Sequence, residues 1–308
     1  AEADLDDFSL SQTAAGSFSF SGKVDAAGGL EGNVLKPLRV SLRSLQLRDT
    51  SEPLRFAPVL VDGPVDYTQG SLSADLVLRS ALPSVFGARL ANITASYDIG
   101  AGRGQARANG SLTFTPGKLE LQTLLPYLKG KVARMSGNLA YSARADMKDG
   151  SFSSSAEAKF DKVGFVASAA TVEDVNGTVT LSSLLPPQTK GVQTLKVATL
   201  EAGIPLRDGT VAFELDRTGL RIVDASWPFA DGKLTLVSSS TAVNADNAEF
   251  LLTVKDVDLA VLVALADVPG LQVTGHINGQ VPVAMKDGDP ILMDGNIAAE
   301  DQGIIVYR

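Results

Sequence analysis

The 308 residues are 44% apolar and 20% charged, enough greasy surface for a sizeable core and a poor composition for disorder. A net charge of −8 argues against a nucleic-acid partner and against docking on anionic headgroups through a basic face. Without cysteine there is no thiol catalysis, disulfide or cysteine-held metal, and no apolar run reaches the length of a membrane-spanning helix.

The chain opens on an acidic stretch without periodicity, and then one signal dominates. Apolar residues alternate with polar ones at Leu72, Ala74, Leu76 and Leu78, and again at Ile93, Ala95, Tyr97 and Ile99. The pattern returns at Leu112 and Phe114, and at Leu139, Tyr141 and Ala143. Further on come Val211, Phe213 and Leu215, then Leu234 and Leu236, then Phe250, Leu252 and Val254. Period two puts one row of side chains on an apolar face and the other in water. Between these runs lie Asp-Gly or Asn-Gly pairs beginning at 62, 109, 149, 176, 208, 231, 278, 287 and 294, read as two-residue hairpin turns. The expectation is an antiparallel meander of roughly twenty strands.

Helical pattern is scarce. Gln122–Lys129 and Asp258–Asp267 are the two candidates, and Leu184-Leu185 falls in a third short turn. Asp258 suits an N-cap for the run 259–265, whose apolar character all round predicts burial or a greasy neighbour. A repeat underlies this order. Residues 135–150 match 273–288 without a gap, sharing Met-Lys-Asp-Gly, and at the same spacing Lys118–Leu125 falls on Asp256–Val263. Each copy reads strand, short apolar helix, strand, Lys-Asp-Gly turn, strand, as in a modular β array.

Chemistry finds little purchase. His276 is the only histidine, in an expected strand after Gly275, with no G-x-S-x-G nucleophile motif beside it. Asp6-Asp7, Asp256 with Asp258, and Asp287 with Asp289 lack the spacing of a calcium loop and read as loose end, helix cap and turn. Gly100–Gly104 precedes no helix start, so it makes a poor phosphate loop. Trp227, the only tryptophan, reads either as a core aromatic at a strand edge or, with Phe229, as an apolar groove wall.

Three segments carry a resemblance: Pro205–Gly209, Trp227–Leu234 and Val268–Val283 resemble the C-terminal region of YdbH-type proteins of the AsmA-like superfamily. The run Asp294–Tyr307 is similar to a strand–Gly–Ile–x–Tyr ending of TamB-like relatives. The resemblance implies an elongated, antiparallel, folded-over (taco-like) β-sheet with a few short helices, forming an open apolar groove in the periplasm. It implies a Gram-negative envelope protein held by an inner-membrane anchor in a missing part of the chain, with outer-membrane or envelope partners. The expected activity is bridge-like phospholipid transport serving outer-membrane lipid homeostasis, with acyl chains as the bound partner and no catalytic residue, metal or cofactor. The candidate groove lining is Leu72, Leu76, Leu78, Ile93, Tyr97, Leu112, Phe114, Phe213, Leu215, Ile222, Trp227, Phe229, Leu234, Leu236, Phe250, Leu252 and Val254. Residues 1–110 form the first part of that groove, and 111–308 the family-like region with related units at about 117–150 and 255–288. Two other readings stay open: a structural or adhesive β-repeat scaffold with a closed core, and a carbohydrate-active β protein whose carboxylates meet only in space.

Overall fold

The computed structural model describes residues 8–12, 16–28, 30–31, 34–35, 37–167, 170–238, 249–266, 268–286, 289–300 and 302–307. Strands make up 71% and helices 7%, so the chain is all-β, and nineteen strands form one antiparallel sheet that is not closed into a barrel. Two compact units share the chain: 1–163 with 181–185, and 164–180 with 186–308.

The first unit runs β1 (Phe8–Gln12), β2 (Gly16–Ala27), β3 (Leu30–Glu31), β4 (Val34–Leu35), β5 (Leu38–Asp49), β6 (Val59–Thr68), β7 (Ser71–Ser80), β8 (Arg89–Asp98) and β9 (Arg103–Phe114). Helix α1 (Leu121–Leu124) and a 3-10 turn (Pro126–Leu128) lead to β10 (Ala133–Lys148) and β11 (Ser151–Ala167). Apart from the small β3–β4 hairpin, antiparallel pairing follows the order β1, β2, β5, β6, β7, β8, β9, β10.

The second unit takes in β12 (Ala170–Leu184) as far as Thr180, β13 (Pro187–Thr189), β14 (Gln193–Glu201), β15 (Pro205–Asp216), β16 (Gly219–Phe229), β17 (Gly232–Ser238) and β18 (Glu249–Asp258). Then come α2 (Leu259–Ala266), β19 (Leu271–Thr274), β20 (His276–Lys286), β21 (Asp289–Leu292), β22 (Asn296–Ala299) and β23 (Ile304–Tyr307). Pairing goes β12, β14, β15, β16, β17, β18, β20, and β20 carries β21 and β22 along its other side. Strands β19 and β23 pair separately.

Most of the expected hairpin turns are not turns. Asp149-Gly150 does separate consecutive strands, Asp231 lies in the turn before Gly232 opens β17, and Asp294-Gly295 lies between β21 and β22. The pairs at 62, 109, 176, 208 and 278 lie inside β6, β9, β12, β15 and β20, and Asp287-Gly288 lies outside the described residues. In two places the reason is a bulge on the neighbouring strand. Ser44 (φ 50) and Asp256 (φ 55) are extra residues in β5 and β18, where the register shifts. Their N–H groups, lost to the ladder, donate to Asp62 Oδ1 at 2.7 Å and to Asn278 Oδ1 at 2.8 Å. The Asp or Asn thus satisfies a stranded donor, and the glycine after it leaves room: a Cβ on Gly63 would stand 2.1 Å from the Asp75 carbonyl oxygen.

Each bulge also resets the alternation. Leu42 and Leu45, three apart, face one side of the sheet, and so do Val254 and Val257. Around these points the core condenses. One cluster holds Val24, Leu45 and Val61; another holds Leu206, Ala225, Trp227, Leu234, Val254, Val257 and Ile277. The connection after β5 is pinned by Asp49, whose buried carboxylate accepts from Arg55 Nη2 at 2.9 Å, from the Arg55 backbone at 2.6 Å and from Ser51 Oγ at 2.7 Å. The Arg55 guanidinium holds that carboxyl far below the ordinary carboxylate range.

The helices are shorter than the pattern over 122–129 predicts. Leu125 lies outside the α region before Pro126, so α1 stops after four residues and a 3-10 turn follows. Helix α2 forms as expected, with Asp258 Oδ1 accepting from the Ala260 N–H at 2.8 Å; Asp267 lies outside the described residues. The repeat has a structural counterpart in each unit. Glu120 and Asp258 occupy the same repeat position, and each precedes the first residue of its helix. Leu119 and Val257 before them are both buried, and Gly137 and Gly275 further on both take positive φ. Leu184 ends β12 and Leu185 lies in the turn that follows.

Candidate functional site

Residues opposite one another in an antiparallel ladder point to the same face. In the first unit the register pairs Leu72 with Tyr97, Leu76 with Ile93 and Leu78 with Ala91 across β7–β8. It then pairs Tyr97 with Gly104 and Ile93 with Ala108 across β8–β9, and Leu112 with Leu139 and Phe114 with Gly137 across β9–β10. All seven first-unit candidates, Leu72, Leu76, Leu78, Ile93, Tyr97, Leu112 and Phe114, therefore share one face. Ile99, expected to extend the row, sits instead in the β8–β9 turn, 51% exposed.

The face is shielded unevenly. Along β9 the outward side chains from Arg103 to Thr113 are exposed, Gly104, Ala106, Ala108 and Gly110 opposite them are half-buried, and Leu112 and Phe114 are buried. Leu76, Leu78, Ile93 and Tyr97 are half-buried, and Leu72 is 36% exposed. Packing is thus tight where β9 ends and open toward the hairpin turns at 69–70, 99–102 and 149–150. Near those turns lies a cavity of about 520 Å³ whose lining is mostly of the polar face, with Ser73, Ser96, Gln105 and Asp146 among its residues. Aromatic rings lie over glycines here: a Cβ on Gly104 would be 2.6 Å from the Tyr97 ring, and one on Gly110 would be 2.7 Å from Tyr141 Oη. The Tyr141 hydroxyl donates to the Leu90 carbonyl at 2.7 Å, and burial raises its pKa.

In the second unit the register pairs Phe213 with Ile222 and Leu215 with Leu220, then Trp227 with Leu234, Leu236 with Leu252, and Leu234 with Val254. Phe229 is two residues beyond Trp227 on the same strand face, and Phe250 stands opposite Val283 as Leu252 does opposite Val281. All ten second-unit candidates share one face as well. Trp227, Leu234 and Val254 are buried in a packed cluster; Phe213, Leu215, Ile222, Phe229, Leu236, Phe250 and Leu252 are half-buried. Trp227 is a core aromatic two residues from the end of β16. Its ring lies on Gly209, where a Cβ would come within 2.0 Å of Nε1, and that N–H has no acceptor among the described residues. Leu259 and Leu262 of α2 pack against the same cluster.

Sequence reasoning missed part of both faces. Val59, Val61, Val65 and Tyr67 of β6 stand opposite Ser80, Leu78, Ala74 and Leu72, but the Asp62-Gly63 pair made that strand read as a turn. Val257 and Ile277 were hidden by the bulge at Asp256. Met147, opposite Gly104, belongs to the first face too.

The shifted carboxylates, Asp49, Glu120, Asp146 and Asp216, all move down: Arg55 holds the first, the Gly117 N–H the second, Arg144 the third and Thr218 the fourth. A general acid needs the opposite direction. His276 opens β20 half-buried, opposite Asp258. Among the described residues no group of three metal-ligating side chains comes together, and no helix is long and apolar enough to cross a membrane.

One-sided apolar sheets of this kind occur in many proteins, and the comparison that decides is with known families. The family described as "Intermembrane phospholipid transport protein YdbH" matches residues 3–308. The chain belongs to the YdbH-like family. No curated protein and no solved structure matches it significantly. The YdbH-like match takes in both units, so it reaches well beyond the segments from Pro205 onward that carry the resemblance.

Proposed function

We propose that this YdbH-like chain carries phospholipid between membranes across the periplasm, with acyl chains lying on the apolar sheet faces and headgroups left in water. The observation that supports this best is the row of half-buried apolar side chains running from strand to strand in each unit, opposite a face that on β8 and β9 is polar and exposed. A face meant only for packing would be covered as Leu112 and Phe114 are. Each methylene moved from water onto such a surface gains about 0.8 kcal/mol. The bulges at Ser44 and Asp256 bend their strands, which favours a sheet folded over into a trough. In this reading residues 1–110 and 111–308 both line the trough. An inner-membrane anchor and an envelope partner at the far side complete the route, whose product is outer-membrane lipid homeostasis. The protein works as a conduit, without catalysis.

The buried cluster around Trp227 favours a second reading, a scaffold with a closed core, for that part of the sheet. One experiment separates the two. Photo-crosslinking side chains placed at Leu76, Ile93, Phe213 and Leu252 should capture phospholipid in cells, and the same groups at Thr94 and Arg107 should not. Equal capture on both faces, or none on either, contradicts the conduit.

A further inference from the structure

At one end of the first unit's strands, three connections are tied into a single rim. The Ala57 N–H donates to the Leu124 carbonyl at 2.8 Å, the Ala81 N–H to the Pro58 carbonyl at 3.2 Å, and Ser84 Oγ to the Lys118 carbonyl at 3.3 Å. These bonds join the loop after β5, the 3-10 turn (Pro83–Val85) between β7 and β8, and the segment between β9 and β10 that carries α1. Each connection is also braced from within. Asp49 accepts from Arg55, the Gly87 N–H donates to the Ser80 carbonyl at 2.8 Å, and the Lys129 N–H donates to the Pro126 carbonyl at 3.0 Å.

From this braced rim each connection holds one large apolar side chain in solvent. Leu54 is 43% exposed, Tyr127 52% and Phe86 70%. A hydrogen-bonded loop that keeps a phenylalanine out of the core marks a surface shaped for a partner. The same end carries the exposed Lys118, Lys129 and Lys131, with Arg134 where β10 begins, and none of the four has an ion-pair partner among the described residues. Of the acids on these connections, Glu120 is buried and accepts from the Gly117 N–H, which leaves Glu52 exposed. The net acidity of the chain lies elsewhere: residues 164–308 hold 9 Lys and Arg against 18 Asp and Glu, whereas residues 1–163 hold 18 against 17. The overall charge, which argues against a basic docking face, therefore does not describe this rim.

We propose that the rim docks on the surface of an anionic bilayer, with Leu54, Phe86 and Tyr127 dipping among the headgroups and the lysines meeting their phosphates. Lysine stems lie along apolar surface while their ammonium groups stay at the wet boundary, and tyrosine has the same two-ended character. The choice of cation decides between partners. Lysine is depleted from protein interfaces, whereas membrane-surface attraction is built on it. Docking of this kind uses strand ends and not the sheet faces, so it goes beyond the carrier reading and stands or falls apart from it.

The test floats the full chain with vesicles of phosphatidylcholine alone, and of phosphatidylcholine with phosphatidylglycerol in equal parts. Binding should appear on the mixed vesicles only and be released by high salt. Lys129→Gln and Lys131→Gln should each weaken it about fivefold and Phe86→Ser about tenfold, whereas Lys233→Gln in the second unit should change nothing. Because the chain has no cysteine, Ser84→Cys and Ile99→Cys each take one environment-sensitive dye while the lysines stay native. The dye at position 84 should shift blue on the mixed vesicles, and the dye at position 99, beyond the far end of β8, should not. Equal binding to both kinds of vesicle, or an equal response at position 99, overturns the rim and leaves the sheet faces as the place where lipid is met. No binding to the mixed vesicles overturns the lipid assignment, and salt-sensitive capture of polyglutamate in its place would make the partner an acidic protein.

Discussion

At the scale of single residues, two contacts hold parts of the sheet that alternation alone does not. Trp227 lies flat on Gly209, and no side chain larger than hydrogen fits beneath it. Gly209→Val should cost about 1–3 kcal/mol of stability through overpacking, seen in urea unfolding. Because Trp227 is the only tryptophan, its emission should shift red in the folded variant as the indole lifts toward water. Asp49 gives a pH signature. Its folded pKa lies below the unfolded one, so its contribution is fully present above the ordinary Asp value near 3.9 and is lost as pH falls toward the folded value. Acid unfolding below about pH 4 should be steeper in the native chain than in Asp49→Asn, which has no such charge to lose. Parallel acid-unfolding curves would contradict that role.

Elements bring in the repeat. Glu120 and Asp258, at equal repeat positions, both serve a helix start: Glu120 accepts from the Gly117 N–H at 2.7 Å and closes a capping box with Thr123, and Asp258 accepts from Ala260. Asp258→Ala should cost about 1 kcal/mol and speed amide exchange in α2 while leaving β18 protected. Elements also mark what the sequence made legible. Alternation at 72–78, 93–97 and 250–254 needs only nearest neighbours in the chain, so those faces could be read directly. Strand β6 could not, because Asp62-Gly63 has the composition of a turn while serving a bulge eighteen residues away in β5; nothing local distinguishes the two uses. A row of alanines shared by four strands was hidden for a related reason. Ala74, Ala95, Ala106 and Ala145 form a line only through three registers between different strands, and alanine is too common to announce itself.

On the scale of the whole molecule, each of the two units carries a shared apolar sheet face, and the family match extends over both. The central claim is that the apolar faces hold hydrocarbon from a guest and not only from each other. Phe213→Asp and Leu252→Asp place a charge on a half-buried row and should abolish lipid transfer between vesicles while circular dichroism stays that of a β protein. The most direct measurement is native mass spectrometry of the purified chain with extraction and identification of whatever it carries. Bound phospholipid, depleted in those two variants, is the expected result. A lipid-free protein that takes up no fluorescent phospholipid would contradict the account.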